Sequence, residues 1–110
     1  MKALVVVDDG ICGFPTRIHA ESHDTQNVTF KIASGCEKVK KFGEVLQAKG
    51  PVDGYAEIGA GFDGVVLTTA RESLKGCCAA CAVPVGAFKA MPVAAGVALP
   101  KDVTLQITLA

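Results

Sequence analysis

Val28, Phe30 and Ile32 alternate with Thr29 and Lys31 and run almost directly into Ser34-Gly35-Cys36-Glu37, where the pattern changes period. Period-two alternation calls for a strand with one buried and one solvated face, and the shift to a 3.6-residue period calls for a helix straight after it. Ser34 followed three residues later by Glu37 reads as a capping box, and Val39, Phe42, Val45 and Leu46 form the apolar stripe that ends before Lys49-Gly50-Pro51. Upstream, strand-like residues 16–23 connect to residues 27–33 through Asp24-Thr25-Gln26-Asn27, a composition suited to a hairpin turn. Ala3-Leu4-Val5-Val6-Val7 is a continuous apolar, mostly β-branched run, which predicts a strand buried on both faces.

The rest of the chain is less regular. Residues 50–64 are glycine-rich and read as a loop with one short strand, Val65–Thr69 as another strand, and Arg71 to about Cys81 as a helix. Pro84 interrupts or restarts that helix, and the segment from Val85 to Gly96 predicts a small-residue helix kinked or ended near Pro92. Val103, Leu105, Ile107 and Leu109 alternate with Thr104, Gln106 and Thr108, the clearest amphipathic strand pattern in the chain. This order predicts an α+β two-layer sandwich, a largely antiparallel sheet with helices on one face. At 110 residues it is a single domain, residues 1–110.

Eleven basic residues balance eleven acidic ones. Such a surface has nothing to draw nucleic acid or anionic lipid, so neither is expected as a partner. The apolar run after Met1 meets Asp8 and Asp9 too soon for a signal peptide or a membrane span, and the expected location is cytoplasmic. In that compartment thiols stay reduced and serve as ligands, nucleophiles or small core residues.

Five cysteines occupy three places: Cys12, Cys36, and the cluster Cys77, Cys78 and Cys81. With Ser34 as N-cap, Cys36 is expected as the second residue of the helix, where unpaired backbone N–H groups and the helix dipole favour a thiolate. Cys78 and Cys81 form a C-x-x-C, and on a helix Cys77 and Cys81 share a face, so two sulfurs of the cluster could point at one site. Cys12 lies between Gly10 and Gly13, which let the backbone curl round a ligand. The simplest composite is a four-sulfur site from Cys12, Cys36, Cys81 and one of Cys77 or Cys78, suited to zinc or an iron-sulfur cluster. Thiol-dependent redox or sulfur-transfer chemistry at Cys36 or the Cys78/Cys81 pair is the alternative, so whether the chain turns over a substrate stays open.

His19 and His23 fall on one polar strand face with Arg17 and Glu21, and a solvated surface explains them better than ligation. Asp8 and Asp9, just before Cys12, suit either a plain turn or a role in tuning ligand exchange. Gly59 to Gly64 lacks the Gly-Lys-Ser/Thr ending of a phosphate loop.

The three-part cysteine distribution resembles the iron-sulfur cluster assembly scaffolds of the NifU N-terminal and IscU type. Cys12-Gly13 resembles their first cysteine turn, Phe30 to Cys36 their Phe-x-x-x-Gly-Cys segment with one extra residue, and Cys77, Cys78 and Cys81 their third motif. Gly76-Cys77-Cys78 stands where that family has His-Cys, and Cys36 is followed by Glu37 in place of glycine. The resemblance covers roughly residues 3–90 and implies a cluster-binding α+β protein without turnover of its own, passing a cluster or electrons to a protein partner.

Overall fold

The hairpin forms where its composition predicts it. A computed structural model describing residues 1–110 pairs strand β2 (Thr16–Glu21) antiparallel with β3 (Asn27–Ser34), Ile18 opposite Ile32 and Ala20 opposite Phe30. Asp24 organises the turn. Its Oδ1 accepts the backbone N–H groups of Gln26 and Asn27 at 3.0 and 2.7 Å, and its Oδ2 accepts the Asn27 side-chain amide at 2.8 Å. These hydrogen bonds, led by the Asn27 side chain, hold the Asp24 carboxyl well below the usual carboxylate range.

Strand β1 (Lys2–Val7) pairs antiparallel with β2, and the two-residue β4 (Val52–Asp53) pairs with the start of β3, giving the sheet order β1-β2-β3-β4. Helix α1 (Glu37–Ala48) packs on β3, burying Val39, Phe42 and Leu46 as the stripe predicts. Helix α4 (Val83–Ala94) covers β1 and β2. The fold is therefore mixed α+β, a small antiparallel sheet with helices packed against one face. The other face is open: Leu4, Val6, Arg17, His19, Thr29 and Lys31 all point to solvent. That corrects the expectation for β1, which buries only the face carrying Ala3, Val5 and Val7.

Four further expectations are overturned. Residues 50–64 hold the short strand β4 as expected, but in place of a loop they continue as helix α2 (Gly54–Ala60) and a 3-10 turn, Gly61–Asp63. Val65–Thr69 is not a strand but the start of helix α3 (Val65–Ser73), which buries Val66, Thr69 and Ala70 at helical spacing. The reason is tertiary. The buried Glu57 carboxylate, from helix α2 (Gly54–Ala60), accepts the Val65 and Val66 N–H groups at 2.9 and 2.7 Å and satisfies donors that a helix start leaves open. Residues 71–81 are not one helix: α3 ends at Ser73, and a 3-10 turn, Gly76–Ala80, precedes the extended backbone of Cys81. The C-terminal alternation forms no strand, since residues 95–110 lie outside any helix or strand.

Gly76–Ala94 is apolar and long enough to cross a membrane by length and composition alone. Here the segment is broken at Cys81, and α4 lays Val83, Gly86, Ala87, Ala90 and Met91 against the sheet and core. Replacing Glu57 by Ala should leave the first N–H groups of α3 unsatisfied and lower folding stability by about 1–3 kcal/mol in urea unfolding. An unchanged midpoint would mean that the carboxylate does not hold α3 in place.

Candidate functional site

One end of the sheet gathers chain from three directions. Val7, Thr16 and Ser34 stand side by side in the register of β1, β2 and β3, and each outer strand then leaves the sheet at that row. Two residues beyond Val7 comes Asp9, and two beyond Ser34 comes Cys36. The start of α4 is laid over the same end, bringing Cys81 with it.

The decisive contact joins residues 72 positions apart. The Cys81 thiol donates to Asp9 Oδ2 at 2.9 Å, while Asp9 Oδ1 accepts the Ala82 backbone N–H at 3.1 Å. Asp9 thus holds both the thiol and the entry to α4, where a negative charge also meets the positive end of the helix. Burial, then the hydrogen bond to the Asp9 carboxylate, pushes the Cys81 thiol up from 9.0 to about 12, and the nearby Cys36 sulfur adds to the shift. Cys81 is therefore a protonated thiol at neutral pH.

Cys36 occupies the N-cap position of α1, with extended backbone, and its carbonyl accepts the Lys40 N–H at 2.8 Å. Ser34 does not form the expected capping box. Its hydroxyl accepts from Thr16 Oγ1 at 2.8 Å and from the Cys36 N–H at 3.1 Å, so it braces the approach to Cys36, and the helix begins after that residue.

All five thiols are free. Cys36, Cys78 and Cys81 are half-buried against the core, whereas Cys12 and Cys77 are exposed. The Gly76–Ala80 turn replaces the helix on which Cys77 and Cys81 would share a face, and it turns Cys78 inward in place of Cys77. Cys12 ends a 3-10 turn, Gly10–Cys12, with Gly10 and Gly13 at φ +69° and +70°, a conformation that residues with a Cβ rarely adopt. Both glycines are needed to fold that loop back on itself.

No three His, Cys, Asp or Glu side chains converge closely enough to hold a metal ion in this conformation. His19 lies on the open sheet face, and His23 pairs with Glu21 at 3.3 Å near the opposite end of the strands. Beside the thiols runs an apolar cleft of about 600 Å³, with Cys78, Cys81, Phe62 and Phe88 in its wall and Arg71 and Lys89 among its lining. The cleft is invisible in the sequence because its wall comes from α2, α3 and α4 together. The Asp9–Cys81 pairing has no local signal either; only the adjacency of Asp9 to Cys12 hints at a role.

A family model matches residues 3–107 of the chain. The chain belongs to the DUF6951 family. That family is described as one of unknown function, and no curated protein and no solved structure matches the chain. The likeness to assembly scaffolds accordingly rests on the cysteine motifs alone.

In this DUF6951 domain, Asp9→Asn should bring Cys81 ionisation down from about 12 toward 9.0, because the charged acceptor is gone. Alkylation of Cys81 by iodoacetamide, followed by mass spectrometry across alkaline pH, would then rise at lower pH than in the parent, and an identical profile would refute the role of Asp9. The sign for stability follows: an unfolded chain ionises Cys81 near 9.0 and the folded chain near 12, so stability falls as pH climbs through that window.

Proposed function

We propose that this protein binds a thiophilic metal centre, zinc or an iron-sulfur cluster, through Cys36, Cys78 and Cys81, with Cys12 brought in on its glycine-bracketed turn and Cys77 as the spare thiol. The observation that carries this reading is the Cys81 thiol held on Asp9 at one end of the sheet, with the Cys36 sulfur near enough to add to the upward push on that thiol. Half-buried sulfurs on short turns beside a carboxylate suit soft-metal ligation. Ligation requires the thiols to draw together from this conformation, and coupling of metal binding to local ordering is usual for small metal-binding domains.

The state of Cys81 favours ligation over nucleophilic chemistry. A thiol held protonated by burial and a carboxylate attacks slowly. Cys81 would bind a metal as the thiolate, giving its proton to solvent, and the Asp9 carboxylate beside it would complement the positive charge that the metal supplies. With the thiols near a cleft and not sealed in the core, a bound cluster could pass itself or its electrons to a protein partner.

Anaerobic purification with metal analysis and an absorption spectrum tests the reading. Bound iron and sulfide, or one zinc per chain, is the expected result. Cys36→Ser and Cys81→Ser should each remove roughly half or more of the metal, while Cys77→Ser leaves it intact. A chain that stays metal-free as isolated and after anaerobic reconstitution with zinc or with iron and sulfide would end the proposal.

A further inference from the structure

The last residues of the chain carry its strictest alternation and the least structure. No backbone hydrogen bond reaches beyond Ala98, yet Val103, Leu105, Ile107 and Leu109 stand 57, 78, 94 and 104 % exposed. An aliphatic row in water along an unpaired backbone is a strand without its sheet. The family match runs to residue 107, so most of this segment is part of the domain.

The sheet has an edge to receive it. β1 pairs only with β2, and its outer side is open from Lys2 to Val7. On the open face Leu4 and Val6 are 52 and 57 % exposed. Inland they meet His19 and Arg17, so any apolar neighbour must come from beyond the edge. The free stretch of the opposite edge, on β3, carries Lys31 at its middle, a charge that discourages pairing. β1 has no such guard between Lys2 and Asp8.

We propose that Val103–Leu109 of one copy adds as a strand to β1 of a second copy, and reciprocally, so that the protein is a strand-exchanged dimer. Its apolar row would lie beside Leu4 and Val6, with Thr104, Gln106 and Thr108 on the other face. Donor and acceptor share one edge: the chain passes Gly96 against the Met1 side chain, at the start of β1, before the segment departs. A single two-fold axis beside β1 therefore brings both exchanges together, as an isologous contact requires. Main-chain hydrogen bonds supply the attachment and alternate side chains its register. The segment makes no hydrogen bond to its own body and leaves its own β1 free, so the acceptor is the second copy. This inference is independent of the thiols.

Light scattering on the full chain at about 100 μM should give twice the 11.3 kDa chain mass. The double substitution Leu105→Asp/Ile107→Asp and the single edge substitution Val6→Lys should each weaken the dimer roughly tenfold or more. All three side chains face solvent within one copy, so circular dichroism should show each variant folded. A monomeric parent chain overturns the proposal, including one whose C-terminal amides are protected from exchange by pairing with its own β1. A dimer unaffected by either variant overturns it as well, because association would then use another surface.

Discussion

Close packing of α4 on β1 and β2 is the constraint on which the rest of the molecule depends. A Cβ at Gly86 would lie 2.9 Å from Val7 Cγ2 and 3.1 Å from Ile18 Cδ1, so the helix approaches the sheet as near as a residue without a side chain allows. Ala87, Ala90 and Ala94 continue that small-residue face into the core. The approach brings the first turn of α4 against Asp9, and with it Cys81. Interiors packed this densely transmit position well, so a choice of small residues in one helix sets the geometry of a site several residues upstream of that contact.

Polar groups are handled with the same economy. Every buried side-chain nitrogen and oxygen has a hydrogen-bond partner. Glu57 starts α3, Asp53 starts α2, Ser34 braces the entry to Cys36, and Asp9 serves the entry to α4. Carboxylates thus stand at three helix starts, where the dipole favours them. At the third, the carboxylate also holds a thiol. That double use separates Asp9 from a purely structural cap and links the fold to the chemistry proposed for the site.

The two proposals occupy different parts of the molecule. Asp9, Cys36 and Cys81 lie where β1 and β3 leave the sheet, whereas the exposed C-terminal row and Leu4 and Val6 concern the outer edge of β1. β1 belongs to both, since Asp9 follows it by two residues. Association through that strand would steady the segment carrying Asp9 and the Cys12 turn.

Much of this was legible in the chain. The β2–β3 hairpin, the stripe of α1 and the α+β class follow from periodicity and turn composition, which act over a few residues, whereas the start of α1 falls two residues later than the Ser34 capping box predicts. Val65–Thr69 misled because its β-branched run expresses a local preference that Glu57 and the packing of Val66, Thr69 and Ala70 override. Val103–Leu109 reads as a strand with equal clarity, but a strand exists only where another pairs with its backbone, and within one copy none pairs with it. The sequence alone determined which residues could bear chemistry and how each short segment prefers to bend. Only the tertiary structure decided that Cys78 turns inward while Cys77 does not, and that Asp9 holds Cys81, because those outcomes depend on contacts between residues far apart in the chain that no local pattern encodes.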